Sequence, residues 1–351
     1  MAVTLHDVAR AAGVSIKTVS NVINDYPYIR EATREKVLAA IAELGYQPNL
    51  SARGLRSGRT GAISLIIPDL KNAYFAELAD AVMRAAAEHG LAVMIEQSGG
   101  IRERELEVLT GPRMRMVDGI LFSVLALGQE DAALVDIPTP LVLLGERIFN
   151  GPADHVTMQN VAASRAATEL MIAHGYRRIL AFGAHEQEVI GSAGLRLEGY
   201  RQALAAAGMP YDEQLIVNVG NWHRSDGAEA MRSALASGLL FDAVVAFNDS
   251  IALGAVRVLQ ENGIRVPEDV AVIGFDDIDE TRYSLPSLST VDPGREEIAR
   301  TAVRVLMERI ADPSGSRPRQ EIEVPFRIVE RESTALVVES PGAAATIASH
   351  A

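Results

Sequence analysis

The chain has no cysteine among its 351 residues. Disulfides, thiol nucleophiles and cysteine metal sites are therefore excluded, and a reducing compartment suits the composition. No apolar run approaches the roughly 20 residues that a membrane helix needs. The first 13 residues contain no apolar segment of the signal-peptide kind. We therefore expect a cytoplasmic protein without a membrane partner.

Signature sequences of several enzyme classes are also missing. There is no dinucleotide-binding GxGxxG, no phosphate-binding GxxxxGK[ST] and no HExxH pair, and the segment 191–194 is one residue short of GxSxG. The acidic run 276–280 lacks the glycine that a calcium-binding EF-hand loop requires. We expect no catalytic residue, no metal and no cofactor, which leaves little support for an enzyme.

Charge is unevenly distributed along a chain of otherwise ordinary globular composition. The net charge is −13, but residues 1–60 carry eight basic and five acidic side chains, which gives +3 there and −16 elsewhere. We call residues 1–60 the head and the rest of the chain the body. A basic head on an acidic body indicates a nucleic-acid contact confined to the head, although chance scatter of the charges would also explain the difference. The length predicts two or three domains.

The head has the pattern of three short helices. Thr4 and Asp7 form a capping-box pair before a first helix, and Gly13 can take the positive φ of a tight turn. Ser15 is the next helix cap, and the second helix is expected over residues 16–23. A third follows over 31–44, with Val37, Leu38, Ile41 and Leu44 on its apolar stripe.

Helix, glycine turn and helix is the arrangement in which the second helix enters the DNA major groove. The complete sequence of this region identifies a family more specifically than the helix-turn-helix pattern alone. TLHDVARAAGVSIKTVSNVIN (4–24) and TREKVLAAIAELGYQPNLSARGLRSGRT (33–60) resemble the LacI family of bacterial transcription regulators. The resemblance continues to about residue 334.

The resemblance implies roles for residues of the second helix. Ile16 and Lys17 match the positions that choose bases, and Asn21 matches a third base- or phosphate-contacting position. Their chemistry agrees, because Lys donates to guanine, Asn pairs with adenine and Ile contacts a thymine methyl group. The positions that resemble phosphate contacts are Thr4, Ser15, Thr18, Ser20 and Asn24. Thr4 and Ser15 can also simply cap helices, and both functions are compatible.

The stretch 48–56 resembles the hinge helix of the family, which folds when a dimer binds its operator and enters the minor groove. Leu55 matches the leucine that is inserted between base pairs, with Ala52 and Arg53 beside it. Gly54 within so short a helix costs roughly 1 kcal/mol, which favours order only on DNA. A plain flexible linker is the alternative.

From residue 61 short apolar runs alternate with helical stretches, which predicts parallel sheets covered on both faces. Two such series predict two doubly wound lobes. The predicted strands are residues 62–68, 91–96, 119–125, 141–145, 177–183, 214–220, 242–248 and 270–276, and late strands near 289–291 and 322–328 are expected to cross between lobes. This body resembles the periplasmic-binding-protein-like architecture of the family.

Ligands of open α/β sheets bind beyond the carboxyl ends of strands, which defines candidate residues without reference to a family. These are Asp69, Asn72, Tyr74, Phe75, Asn221, Trp222, His223, Asn248, Asp249, Asp276 and Asp277. Carboxylates and amides bind hydroxyl groups, and an aromatic face covers a sugar ring. The set therefore suits a neutral polyhydroxylated ligand.

The resemblance narrows this set of residues to an effector site. Arg196 matches the arginine that clamps the effector, Trp222 a stacking position, and Asn248 and Asp276 two polar contacts. The segment 69–75 lies in the first-strand loop motif, although Ala73 stands where the family commonly has proline. Trp222 has an alternative role in packing, Arg196 in a buried ion pair, and Asp249 is expected to cap the next helix.

The predicted organisation is a helix-turn-helix DNA-binding domain (1–47), a hinge helix and linker (48–60), an effector-binding body (61–334) and a disordered tail (335–351). Lobe 1 takes about 61–160 and 291–323, and lobe 2 about 161–290 and 324–334. The tail has no leucine heptads, so a homodimer is expected. The implied function is a repressor of pseudo-palindromic operator DNA that responds to a small molecule. A sugar is favoured over a purine-like ligand, and a solute-binding receptor is a weaker alternative.

Overall fold

The structure is a computed structural model that describes residues 3–23, 26–46, 59–185, 188–312 and 314–335. The chain divides into two compact units, Met1–Gly61 and Ala62–Ala351. Each unit has a hydrophobic core of its own. The predicted hinge stretch, the tail beyond residue 335 and Asn24 lie outside the described residues.

The first unit contains the three predicted helices, α1 (Leu5–Ala12), α2 (Ile16–Ile23) and α3 (Glu31–Leu44). Gly13 ends α1 at φ 65°, a left-handed conformation that suits glycine. One prediction about α3 is wrong, because Leu38 is 50 % exposed. The inward stripe consists of Val37, Ala40, Ile41 and Leu44, whose i, i+3, i+4, i+7 spacing leaves residue 38 outside it.

The second unit contains two sheets. The strands are β1 (Ala62–Ile67), β2 (Ala92–Gln97), β3 (Gly119–Ser123), β4 (Leu141–Leu144), β5 (Asp154–Met158), β6 (Ile179–Ala184), β7 (Ile216–Asn218), β8 (Ala243–Ala246), β9 (Ala271–Phe275), β10 (Ser289–Asp292), β11 (Glu321–Val324) and β12 (Arg327–Val329). Those of the first sheet lie in the order β11-β5-β4-β3-β1-β2, and those of the second in the order β12-β10-β9-β8-β6-β7. The pairings are parallel except between β10 and β12.

Helices cover both sheets, as parallel strands require. They are α4 (Ala73–Glu88), α5 (Arg102–Thr110), α6 (Asn160–Ala173), α7 (Ser192–Ala206), α8 (Arg224–Ala236), α9 (Asp249–Glu261) and α10 (Arg295–Ile310). Among the described residues, no helix is long and apolar enough to cross a membrane. Each sheet with its helices forms one lobe, which is the predicted fold class.

The chain passes between the lobes at three places, which we call the crossings. The first lies between β5 and α6, the second between β10 and α10, and the third between β11 and β12. Helix α10 packs on α4, β3, β4 and β5, so it belongs to the first lobe although it follows a strand of the second. The crossings hold the carboxyl ends of the central strands of both sheets close to one another.

Two strand assignments differ from the sequence prediction. Strand β5 was not predicted, because its sequence DHVTM carries two ionisable residues although all five positions are buried. The run predicted as one late strand over 322–328 is two strands in different sheets, β11 and β12, separated by Pro325 and Phe326. Proline lacks the N–H that a continuous ladder would need, so the ladder breaks there.

Candidate functional site

The α2 helix of the head is set by its caps. The Ser15 hydroxyl accepts from the Thr18 N–H at 3.1 Å, and the two side-chain hydroxyls are 2.9 Å apart. On α1, the Asp7 carboxylate accepts from the Thr4 N–H at 3.0 Å and from its hydroxyl at 2.7 Å. These hydrogen bonds lower the pKa of Asp7, so the carboxylate remains ionised at neutral pH. The Thr4–Asp7 pair caps α1, and the Ser15 cap fixes the start of α2; a helix start is a favourable place for a phosphate group.

The outer face of α2 carries the predicted base-contacting residues. Lys17 is exposed, and Asn21 is half-buried. Ile16 is also half-buried and packs against the core of the head, so it is less exposed than the sequence suggested. Among the phosphate candidates, Thr4 and Ser15 are exposed, and Thr18 and Ser20 are half-buried. The predicted contacts Asn24, Ala52, Arg53 and Leu55 fall outside the described residues.

A cavity of about 450 Å³ lies between the two lobes of the body, beyond the carboxyl ends of the central strands. It is lined by all eight residues that the sequence predicted for the effector site, namely Asp69, Asn72, Tyr74, Phe75, Arg196, Trp222, Asn248 and Asp276. They come from five separate segments of the chain. The fold therefore brings the predicted residues together around one cavity of the size that small ligands occupy.

The segment after β1 supplies the first lobe's predicted residues. Asp69 accepts from the Lys71 N–H at 2.9 Å, and Asn72 caps α4 by accepting from the Tyr74 N–H at 3.1 Å. The rings of Tyr74 and Phe75 meet edge to face at 5.3 Å. Burial raises the pKa of Tyr74, so its phenol is a neutral hydroxyl at the cavity wall. This segment offers both polar and aromatic contacts.

Arg196 on α7 is held from several sides. Its Nε donates to the Asn160 side-chain oxygen at 2.8 Å, one Nη group bonds to the Phe247 carbonyl, and its guanidinium lies 3.6 Å from the ring centre of Phe275. Among the described residues, the remaining Nη2 group meets only the Met158 sulfur at 3.5 Å and the Asp276 carboxylate at 4.0 Å. The arginine is therefore oriented in advance, with one weakly engaged donor group.

Trp222 is fixed by the second sheet. Its indole N–H donates to the Gly183 carbonyl at 2.9 Å, and its ring lies edge to face with Phe247. Its backbone has φ 55°, an uncommon value for a large residue that the surrounding contacts must maintain. The Asn248 side chain donates to the Trp222 carbonyl at 3.2 Å. The aromatic wall of the cavity is thus held in one orientation.

Asn248, rather than Asp249, caps the following helix, so the predicted role of Asp249 is wrong. The Asn248 side-chain oxygen accepts from the Ile251 N–H at 2.8 Å. Asp249 instead points into the second lobe, where its carboxylate accepts from the Thr290 hydroxyl at 2.6 Å and the Ile278 N–H at 3.0 Å. These bonds support the loop that carries Asp276.

Asp276 is almost fully buried and has φ 121°, a strained backbone conformation. Burial raises its pKa well above the usual range for a carboxyl group, although nearby Arg196 opposes the change. A protonated carboxyl group donates as well as accepts hydrogen bonds. Asp276 can therefore contribute either kind of contact to a hydroxyl group of a ligand.

Side chains of the two lobes also bond to each other directly across the cleft. His223 Nε2 lies 2.6 Å from the Asp69 carboxylate, and the Ser192 hydroxyl donates to Glu146 at 2.6 Å. Arg147 donates to the Ile190 carbonyl at 2.9 Å. These contacts close the lobes against one another in the structure described.

Glu146, Arg147 and Ser192 also line the cavity but were not predicted from the sequence. Glu146 bonds to Ser192, and Arg147 to Ile190, across more than 40 positions of the chain, so no local pattern identifies them. His223 was among the residues at strand ends but was not selected for the effector site.

Partial burial raises the pKa of Asp69, but the hydrogen bonds from Lys71 and His223 outweigh the effect of burial and lower the pKa overall.

The cavity combines hydroxyl-binding groups with aromatic surfaces. In the part of the chain that the structure describes, no group of three or more potential ligands could hold a metal ion. Carboxylates, amides and the two guanidinium groups of Arg147 and Arg196 surround the space. The arrangement is suited to binding and orienting a small polar molecule.

Comparisons with known proteins agree with both units. A model of the bacterial regulatory proteins of the lacI family matches residues 4–49, and a model of the periplasmic binding protein-like domain matches residues 168–334. The chain is 33 % identical over 335 residues to the HTH-type transcriptional regulator RegA of Clostridium saccharobutylicum, which covers 95 % of this chain and 100 % of RegA. It is 33 % identical to the ribose operon repressor of Escherichia coli K12, covering 91 % and 96 % of the two chains.

Solved structures share the fold. A transcriptional regulator of LacI family from Sanguibacter keddieii DSM 10542 superposes with a TM-score of 0.74 and 53 % identity, covering 79 % of this chain and 99 % of that one. A complex of the transcriptional regulator CelR with cellobiose superposes with a TM-score of 0.69 and 32 % identity, covering 94 % and 99 %. The similarity therefore extends over both the head and the body.

Proposed function

The chain belongs to the LacI family of bacterial regulatory proteins, and from that premise we propose that it is a repressor controlled by a sugar bound between its lobes. It is a DNA-binding transcriptional regulator by family. We propose that it acts in the bacterial cytoplasm and catalyses no reaction.

One observation carries the sugar assignment, which is the mixture of groups around the cavity. Asp69, Asn72, Asn248 and Asp276 supply acceptors and amides, and Trp222 supplies a fixed aromatic surface. Sugars need many hydrogen-bond partners for their hydroxyl groups and an apolar surface for the C–H face of the ring. A purine would use fewer polar partners than this wall provides.

The state of the basic groups favours an uncharged ligand. Arg196 faces Asp276, and Arg147 bonds to the Ile190 carbonyl and lies 3.3 Å from Glu188. The guanidinium of Arg147 therefore already has the Glu188 carboxylate nearby, whereas that of Arg196 has the buried carboxyl group of Asp276 at 4.0 Å. An anionic ligand such as a sugar phosphate would have to compete with Glu188 for Arg147. Relatives with sugar-related names are the ribose operon repressor and CelR with cellobiose, but repressors named PurR from Vibrio are equally similar in sequence, so the cavity and not the names supports the assignment.

We propose that ligand and DNA are coupled through closure of the cleft. Hydrogen bonds such as Asp69 to His223 and Glu146 to Ser192 join the lobes, and a ligand would replace them with bonds of its own. The ligand shifts the balance between lobe arrangements only by its difference in affinity for them. A coupling of about 1–3 kcal/mol, typical of allosteric proteins, would change operator affinity about 5- to 150-fold.

On the DNA side, we propose that two heads of a homodimer bind the two half-sites of a pseudo-palindrome. Lys17, Asn21 and Ile16 are proposed to contact bases, with Leu55 inserted into the minor groove.

A dimer surface is suggested by Met83 on α4 and Ile95 on edge strand β2, which are 48 % and 38 % exposed. Exposed apolar residues beside an unpaired strand edge are unusual unless a partner covers them. Sedimentation of the wild type and of Met83→Glu tests this, because an unchanged dimer in the variant contradicts the surface.

The sugar proposal is tested by the fluorescence of Trp222, the one tryptophan of the chain. Ribose, glucose, cellobiose, adenine and hypoxanthine are titrated separately, and each compound that changes the emission is retested for its effect on operator binding. We expect a sugar to act in both assays. A purine that acts when the sugars do not would overturn the sugar assignment.

The role of Arg196 is tested in the same assays. Arg196→Ala is expected to abolish the ligand response and to leave ligand-free operator binding intact, because the residue lies in the body and not in the head. Arg201→Ala on the exposed side of the same helix is the control and should respond normally. A normal response of Arg196→Ala would remove that residue from the site.

A further inference from the structure

Glu105 is a fully buried carboxylate outside the group of residues that line the cavity. It lies on α5 and accepts hydrogen bonds from three successive backbone N–H groups, those of Leu125, Ala126 and Leu127, at 2.8–3.1 Å. Among the described residues, no basic side chain lies within salt-bridge distance of it. The charge is therefore stabilised by the loop amides, and the loop is fixed by the charge.

The loop that Glu105 holds, residues 124–127, follows β3. Leu127 is anchored in the core of the first lobe. Val124 and Leu125 line the cavity, and Leu125 is 43 % exposed. Because the Leu125 side chain is partly exposed, side-chain packing restrains it on one side only. The backbone beneath it therefore contributes to its order.

Neighbouring contacts restrict Leu125 further. Its side chain packs so closely over Gly100 that a Cβ atom at Gly100 would lie 2.7 Å from its Cδ2 atom. The far end of the loop is held by α5 as well, because Arg102 donates to Asp131 at 2.6 and 2.7 Å and Asp131 accepts from the Gly128 N–H. Helix α5 thus fixes the loop at both ends.

We propose that Glu105 is a positioning residue of the ligand cavity that acts through Leu125, and that Leu125 selects ligands with an apolar patch at that wall. The selectivity part rests on the proposed function, because it requires a ligand in the cavity. The positioning part rests on the hydrogen bonds alone. Neither requires Glu105 to touch the ligand.

The first test measures order at position 125 without any ligand. The absence of cysteine allows a single nitroxide label at Leu125→Cys, with Leu134→Cys as the control. Leu134 is comparably exposed and lies on the adjoining short helix Gln129–Val135, to which Glu105 makes no hydrogen bond in the described part of the chain. Electron paramagnetic resonance spectra of both labels are recorded with and without Glu105→Gln.

Glutamine keeps the shape of Glu105 but turns one acceptor oxygen into an NH₂ group that faces a backbone N–H. We therefore expect the label at 125 to become more mobile and the label at 134 to remain unchanged. Unchanged mobility at 125, or an equal increase at both positions, overturns the positioning role. If Glu105→Gln does not fold, Glu105→Asp, which keeps the charge but shortens the side chain, is judged by the same two outcomes.

The second test measures selectivity through Trp222 fluorescence, with glucose, ribose and cellobiose as probes. Leu125→Ala and Glu105→Gln are each expected to lower the affinity for the sugar that binds about tenfold, which is the low end of the effect of lost apolar contacts in a pocket. The double variant should lose no more than either single variant, because both remove the same contact. Losses that multiply overturn the coupling. If wild-type protein binds none of the three sugars, the sugar proposal fails, and the nitroxide spectra still decide the positioning role.

Discussion

Asp249 offers a direct test of the electrostatics behind the ligand cavity. Its carboxyl group is completely buried at the start of α9, and burial raises its pKa from 3.8 to about 7 despite hydrogen bonds from Thr290 and Ile278. The unfolded chain holds this proton less tightly than the folded chain does. Ionisation of Asp249 therefore costs folding free energy, and the cost depends on pH.

The sign and size of the effect follow from the two pKa values. Below about pH 4 the group is protonated in both states and costs nothing. Between pH 4 and 7 the folded protein loses stability progressively, and above pH 7 the full cost is present. The difference between 3.8 and about 7 corresponds to a ceiling of roughly 4 kcal/mol, at 1.36 kcal/mol for each pKa unit.

Asp249→Asn removes the charge and keeps the shape. The amide oxygen can still accept from the Ile278 N–H, and the NH₂ group can donate to the Thr290 hydroxyl, which turns to accept it. We expect the variant to match the wild type at pH 4 and to melt at a higher temperature at pH 8. At about 2–4 °C for each kcal/mol, a gain of half the ceiling raises the melting temperature by roughly 4–8 °C.

Differential scanning calorimetry of both proteins at half-unit steps from pH 4 to 8 measures the difference. Asp269→Asn is the control of opposite sign, because an exposed pair with Arg265 lowers the pKa of Asp269 to about 2. The stability that ionised Asp269 contributes is lost only as the pH falls below 3.8 towards 2. Asp269→Asn should therefore show no gain in melting temperature at pH 8. A stability difference for Asp249→Asn that is the same at pH 4 and pH 8 would refute the reasoning.

Three further outcomes are expected. Arg309→Met should destabilise the body by about 3–5 kcal/mol in chemical denaturation, because it leaves the buried carboxylate of Asp154 unpaired, whereas Arg257→Ala in an exposed pair should cost less than about 1 kcal/mol. Lys17→Ala should weaken specific operator binding by about 1–3 kcal/mol in a titration at fixed salt, and an unchanged affinity contradicts a base contact. Leu55→Ala should weaken specific binding far more than nonspecific binding, and equal losses would exclude the wedge.

The strand-end rule identified the predicted cavity residues other than Arg196 because it depends only on topology; Arg196 lies on helix α7 and was predicted from the family resemblance. Asp69, Asn248 and Asp276 each follow an apolar run, and parallel strands of one sheet place their carboxyl ends at one edge. That geometry is a property of the fold class, so it could be predicted from the sequence. The finer assignment of a cap was not predictable, because Asn248 and Asp249 are adjacent and either side chain can cap a helix.

The missed features depend on contacts between distant parts of the chain. Strand β5 is polar at Asp154 because Arg309 of α10 neutralises that carboxylate with hydrogen bonds of 2.8 Å from two nitrogens. The bond between Glu146 and Ser192 joins residues of different lobes that lie 46 positions apart in the chain. A propensity describes a residue and its neighbours in sequence, so it carries no information about partners of this kind.

The three crossings have a consequence for how such a protein can change over time. Each lobe is assembled from separate stretches of the chain, interleaved with stretches of the other lobe. Exchange of one lobe between relatives by recombination would need several breakpoints to coincide, whereas the head is one continuous stretch of the chain. A different DNA-binding head can therefore be acquired in one recombination event. A different ligand preference arises instead through individual substitutions at the cavity wall.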